Sequence, residues 1–167
     1  GGDGRLWHWD IFNKHIGTNA AHYAKPMKPT SQVDQGFALT VSGRTIPLDR
    51  TGFSDVSFRG QYPIGTVEYR DPGVPVAVTL EAFSPFIPLE TDDSSLPATV
   101  MQFTVRNTSG KQVEATLTGW LENAVFTGAA PHPSLERRTS VLHDAGAVSL
   151  VAIGEMMPPG TVQRPDI

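Results

Sequence analysis

An all-β fold, an antiparallel β-sandwich of about eight to ten or more short strands with few or no helices, is what this sequence predicts. Three observations predict it. Apolar and polar residues alternate with a period of two in one segment after another, which puts an apolar face on a strand. Glycine (16) and proline (14) together make about 18% of the 167 residues, against a usual ~12%, and such a chain is poorly suited to long helices. No window carries an apolar stripe at helical spacing, and Ser134–Arg138 offers at most a single helical turn.

Taken in order, the first strand is expected over 5–12, followed by a long loop, Ala20–Gln35, with Pro26, Pro29 and few apolar residues. Further strands are expected at 37–42, 55–60 and 64–70. In the next, Val76, Val78, Leu80 and Ala82 share one face, with Ala77, Thr79, Glu81 and Phe83 on the other. Met101, Phe103 and Val105 alternate with Val100, Gln102 and Thr104. Val113, Ala115, Leu117, Gly119 and Leu121 alternate with Glu114, Thr116, Thr118 and Trp120. The intervening Arg106–Lys111 is polar, contains Gly110 and has hairpin length, so 98–106 and 112–122 are expected to pair antiparallel. Pro72, Pro75, Pro85, Pro88 and Pro97 punctuate the middle of the chain, where a proline inside a central strand would lose a ladder bond. Strands at 139–143 and 147–153, joined by the turn Asp144-Ala145-Gly146, close the series.

Composition removes several classes of function. With net charge −4 and no basic run, the chain lacks the electrostatic footprint of a nucleic-acid binder, and no nucleic-acid partner is expected. There is no cysteine, hence no disulfide, no thiol nucleophile and no cysteine-bearing zinc site. The five histidines, His8, His15, His22, His132 and His143, match no metal-binding spacing, and no metal is expected. Neither a glycine-rich dinucleotide fingerprint nor a Walker pattern occurs, so no cofactor is expected. His143 and Asp144 are adjacent, but no G-x-S-x-G elbow supports a hydrolase triad. No apolar run approaches the ~20 residues that span a bilayer, so no membrane span is expected. Asn107-Thr108-Ser109 fits a glycosylation sequon and equally a polar turn.

Two segments carry candidate chemistry. In Leu6-Trp7-His8-Trp9-Asp10-Ile11-Phe12 the two indoles lie two residues apart and share a strand face. Exposed, they form a platform for the C–H face of a sugar ring; buried, they are aromatic core. His8 and Asp10 share the opposite face and can pair or be solvated. The second segment gathers Glu81, Glu90, Asp92 and Asp93, and glycoside cleavage needs two carboxylates placed across the scissile bond. Asp93-Ser94-Ser95 before Leu96-Pro97 also fits a strand-entry turn with side-chain oxygens capping backbone N–H groups, the reading favoured here.

That same segment carries a family resemblance. Phe83-Ser84-Pro85-Phe86-Ile87-Pro88, then Asp93-Ser94-Ser95-Leu96-Pro97, then the strand from Phe103 to Asn107, resembles the N-terminal domain of glycoside hydrolase family 116. That family includes the non-lysosomal glucosylceramidases, or bile-acid β-glucosidases. Gly4-Arg5-Leu6-Trp7, Ile11-Phe12-Asn13, Tyr62-Pro63 and Val67-Glu68-Tyr69 support it upstream, so the likeness covers roughly residues 4–126. It implies a two-domain retaining β-glycosidase, with an N-terminal β-sandwich and a C-terminal (α/α)₆ barrel holding the catalytic Glu nucleophile and Asp acid/base. No catalytic residue therefore carries over to this chain. A structural role is expected for the motif residues Pro85, Pro88, Asp93, Ser94, Ser95, Leu96 and Pro97.

Residues 1–167 are thus expected to be one β-sandwich domain, the non-catalytic N-terminal piece of a longer β-glucosidase-type enzyme. Its opening Gly1-Gly2-Asp3-Gly4, without Met, and its stop at Pro165-Asp166-Ile167 suggest cuts at both ends. The expected partner is the catalytic barrel of the same protein. If the chain touches a β-glucoside, Trp7 and Trp9 are the expected platforms, with His8 and Asp10 beside them. Two other readings stay open: an independent carbohydrate-binding module, or a structural interaction domain with an exposed apolar face.

Overall fold

The structure, a computed structural model, describes residues 2–5, 34–96, 98–125 and 135–157. These residues form nine strands and one helical turn, so the all-β expectation holds. In chain order they are β1 (Gln35–Val41), β2 (Arg44–Pro47), β3 (Asp55–Gln61), β4 (Ile64–Arg70) and β5 (Val76–Phe83). Then come α1 (Thr91–Ser94), β6 (Val100–Asn107), β7 (Ala115–Leu121), β8 (Leu135–Asp144) and β9 (Ala147–Met156). They make three antiparallel sheets, ordered β2-β1-β7, β3-β4-β5-β6 and β8-β9. Two compact units result, one from 2–5 and 35–120, the other from 34, 121–125 and 135–157.

The first unit is a sandwich. Its two sheets enclose Leu39, Val41 and Ile46 from one side and Val56, Val67, Tyr69, Val76, Val78 and Leu80 from the other. Phe37 of β1 and Phe103 of β6 meet across the layers with ring centroids 4.6 Å apart. The period of two governs this packing: along β5, Val76, Val78 and Leu80 are buried while Ala77, Thr79 and Glu81 are half-buried on the outer face. Each fully buried aliphatic or aromatic side chain contributes about 1.5–3 kcal/mol relative to exposure. Phe53, on the loop after β2, enters the core edge-on to Tyr69 at 5.8 Å.

Local chemistry sets the turns. Ser42 and Gly43, both at positive φ (51° and 74°), make the two-residue turn between β1 and β2, a geometry that suits the right-handed twist of a hairpin. Tyr62-Pro63, a cis peptide, occupies the β3–β4 turn, where Gln61 pairs with Ile64. The Asp71 carboxylate accepts the N–H groups of Ser54 (3.0 Å) and Gly73 (2.7 Å), shaping the β4–β5 turn.

Three sequence expectations need correction. Segments 98–106 and 112–122 are strands but not a hairpin: β6 pairs along all its length with β5, and β7 joins β1 in the opposite sheet. The polar connection is a corner between layers. The Asn107 carboxamide accepts Ser109 N–H (2.8 Å) and donates to the Lys111 carbonyl (2.7 Å), and Val113 then turns into the core. A corner and a hairpin need the same polar, glycine-containing residues, so composition does not separate them. Leu135–Arg138 belongs to β8 and makes no helical turn, because it pairs with 153–156. The short strand β2 was not expected; four residues are too few for periodicity to register. The expected strand at 5–12 lies outside the described residues beyond Arg5, as does the loop at 20–35 before Asp34.

Among its described residues the second unit is dominated by the β8–β9 ribbon, whose turn is Ala145-Gly146, with Gly146 at φ 93°. Asn123 donates its amide to the Arg138 carbonyl (3.0 Å), and Arg137 Nε donates to the Val125 carbonyl (2.8 Å), so 121–125 is tied to the ribbon.

Candidate functional site

The N-terminal residues are fastened to the sandwich by a polar clasp. Arg5 Nε donates to Asp49 Oδ2 at 2.9 Å, while Asp49 Oδ1 accepts both the backbone N–H (2.7 Å) and the hydroxyl of Thr51. The buried Tyr69 hydroxyl donates to the Gly4 carbonyl at 2.8 Å. Gly4 sits at φ +87°, and a Cβ there would lie 2.6 Å from the Tyr69 ring, so glycine is required on both counts. Burial raises the carboxyl pKa of Asp49, but the hydrogen bonds from Thr51 and Arg5 outweigh it and hold the carboxyl below its ordinary value. Burial and the carboxylates of Asp49 and Asp3 push the Tyr69 phenol well above its usual range. The arrangement is a structural anchor for Gly4 and Arg5, and sequence reading missed Asp49, Thr51 and the pairing role of Tyr69. The signal available was a lone acid in Pro47-Leu48-Asp49-Arg50-Thr51, which fits any Asx turn.

The family-like block occupies the connection between β5 and β6. Ser94, in α1, accepts the Ile87 N–H at 3.0 Å and donates to the Ile87 carbonyl at 2.9 Å. Ser95 donates its hydroxyl to the Asp92 carbonyl at 3.0 Å. These bonds close Pro85–Pro88 onto the helical turn and order a loop whose apolar side chains point to solvent. Phe86, Ile87, Leu89 and Leu96 are all exposed. Phe86 meets Tyr62 of the β3–β4 turn edge-on, with centroids 5.6 Å apart. Leu89 is fully exposed at φ 71°, a conformation costly for a residue with a Cβ that the surrounding hydrogen bonds must hold. Exposed, ordered apolar side chains gathered at one end of a sandwich are what a docking surface requires.

The carboxylates are not gathered into a pair across a cleft by their elements. Glu81 lies half-buried on the outer face of β5, where it pairs with Thr66 and Gln102 across the sheet. Glu90 precedes α1 and Asp92 and Asp93 fill its first turn, all exposed. No side-chain bond caps α1 at Glu90; Ser94 Oγ accepts the backbone N–H of Ile87, while Ser95 donates to the Asp92 carbonyl rather than capping an N–H. Pro85 is half-buried and Pro88 exposed, while Pro97 lies outside the described residues. Trp7, His8, Trp9 and Asp10 also lie outside them, as do His15, His22 and His132. Among the described residues no group of three or more His, Cys, Asp or Glu is placed to hold a metal ion. No helix among them is long and apolar enough to cross a membrane.

Two facing antiparallel sheets around one aliphatic core, with an ordered apolar loop at one end, define an all-β sandwich domain with a surface suited to contact. Over residues 1–149 the chain matches the family model described as beta-glucosidase 2, glycosyl-hydrolase family 116 N-term, and it belongs to that family. No curated protein matches the chain.

Proposed function

We propose that this chain is the non-catalytic N-terminal β-sandwich of a family 116 retaining β-glycosidase, packing on the catalytic barrel of the same protein. The observation that carries this reading is the ordered apolar loop Phe86–Leu96 beside Tyr62, in a chain that belongs to an N-terminal domain family. A loop held by Ser94 at both the N–H and the carbonyl of Ile87 presents its side chains in one arrangement, which lowers the entropy cost of docking. The two carboxylates of the double-displacement mechanism then come from the barrel, and the barrel sets the choice among β-glucosides, glucosylceramide included.

Two measurements test this. The purified chain should show no turnover of an aryl β-glucoside, and measurable turnover would end the non-catalytic reading. In the whole enzyme, Leu89→Asp should loosen the union of sandwich and barrel, read as separate thermal transitions in place of a shared one. A single unshifted transition would remove this loop from the contact.

A further inference from the structure

β3 ends its sheet. In the order β3-β4-β5-β6 one side of it pairs with β4 in an unbroken register, Asp55↔Arg70 to Gln61↔Ile64. Among the described residues no strand lies along its other side. An antiparallel strand directs its N–H and C=O groups alternately to its two sides, so every second residue of β3 faces outward without a ladder partner. All of its residues but Val56 are exposed, Phe58 at 52%. Natural sheet edges are commonly blunted by a proline, a bulge or a very short strand, and β3 has none of these over its 7 residues. It carries instead two charges of opposite sign. Val56 faces the core, so alternation puts Asp55, Ser57 and Arg59 together on the outer face and Phe58 with Val56 on the inner one. Among the described residues neither charge joins an ion pair. Arg70, opposite Asp55 on β4, is bonded to Glu68 at 2.8 Å, and the residue opposite Arg59 is the neutral Thr66.

We infer that β3 pairs with β3 of a second copy of this chain, antiparallel about a two-fold axis through Ser57, joining two four-stranded sheets edge to edge. That register sets Asp55 of each copy opposite Arg59 of the other, which makes two ion pairs on the outer face. It also sets Val56 opposite Phe58 twice on the inner face, where the exposed ring gains an apolar neighbour. A two-fold axis through a residue matches outward-facing backbone groups with outward-facing ones, so the ladder closes without a bulge. The charges select this axis over its neighbours. An axis through Phe58 would set Arg59 against Ser57 and Asp55 against Gln61, and one through Val56 would set Asp55 against Ser57, so both ion pairs would be lost. The contact is isologous and stops at two copies, and it covers the edge that β3 otherwise leaves open to indiscriminate pairing.

The test follows the mass of the purified 167-residue chain by sedimentation velocity, up to about 1 mM. A reversible equilibrium between one copy and two is expected. Arg59→Glu or Asp55→Arg each place two like-charged pairs across the axis and should weaken dimerisation about tenfold or more. Both positions are exposed, so neither change disturbs the core. An equimolar mixture of the two variants should dimerise again, because one then carries two acids and the other two bases at the facing positions. Ser57→Cys, in a chain without cysteine, should cross-link to its copy under mild oxidation, since the axis brings the two side chains together. A single copy throughout the concentration range would overturn the inference. So would a dimer indifferent to both charge variants, or a mixture no more dimeric than its components. The docking reading has a separate readout, the thermal coupling of two domains, and none of these outcomes bears on it.

Discussion

The sandwich and the β8–β9 ribbon are built from the same local pattern, yet they bury very different amounts. The ribbon has ten-residue strands in unbroken register from Leu135↔Met156 to Asp144↔Ala147, longer than any pairing in the sandwich. Even so, Val141, Leu142, Val148 and Leu150 are each more than half exposed, and Ala124 is the one buried hydrophobic residue of that unit among the described residues. In the sandwich, shorter strands put nine buried residues into one cluster, and the loops beside them add Leu48, Phe53 and Val74. A hydrogen-bonded ladder exchanges bonds to water for bonds within the chain at a small net gain, so register alone stabilises little. A two-stranded ribbon gains stability mainly from what it packs against. Val141 and Leu142 are neighbours in sequence and so project to opposite faces, which leaves both faces of the ribbon apolar and exposed towards its turn, while Val151–Gly154 are half-buried.

The sharpest way to break this comparison is to truncate the same residue type in both regions. Leu39, with no exposed surface, should cost about 2–5 kcal/mol on replacement by Ala, because neighbours on two sheets collapse only partly into the void. Leu150→Ala in β9 should cost less than about 1 kcal/mol. Urea denaturation of the two variants reads the difference directly. Equal costs would mean that the ribbon is buried as deeply as the sandwich.

The clasp tests a different contribution within the sandwich, one of charge rather than area. Asp49→Asn removes the ion pair with Arg5 and weakens both bonds from Thr51, for about 1–3 kcal/mol. Because the folded carboxyl titrates below its unfolded value of ~3.9, the native state binds fewer protons than the unfolded chain in this range. Its contribution is therefore complete above the unfolded pKa and disappears as pH falls through the folded one. The gap between parent and Asp49→Asn should narrow on acidification from pH 6 towards pH 3, about the range of an ordinary carboxylate. A gap independent of pH would show that the carboxylate charge adds nothing.

Much of the sandwich was legible in the sequence because burial there follows the period-two rule residue by residue, as Val76, Val78 and Leu80 show. Pairing was less legible. Met101 and Phe103 reveal that β6 has a core face, but nothing in them says whether the neighbour is β5 or β7. That choice rests on the Asn107 corner, whose residues serve a hairpin equally well. The site was readable as a motif and not as a geometry. Asp93-Ser94-Ser95-Leu96 stands out in sequence, but the bond from Ser94 back to Ile87, seven residues earlier, depends on a fold-back that spacing does not encode.

The smallest effect concerns the loop that shares features of both regions: it belongs to the sandwich unit yet exposes its apolar side chains as the ribbon does. What distinguishes it is the Ser94 hydroxyl, which is bonded at once to the N–H and carbonyl of Ile87. Ser94→Ala deletes both bonds without altering the core, so global stability should fall by no more than about 1 kcal/mol, since both groups regain water. The local effect should be larger in proportion. The Ile87 amide should exchange with solvent about five to ten times faster, as opening the loop no longer breaks these bonds. Amides of β5 such as Val78, whose exchange requires the sandwich itself to open, should slow or quicken only with the global change. If Ile87 and Val78 respond equally, the loop is ordered by the body of the sandwich and not by Ser94. The rigidity attributed to the exposed Phe86–Leu96 surface would then have a different origin.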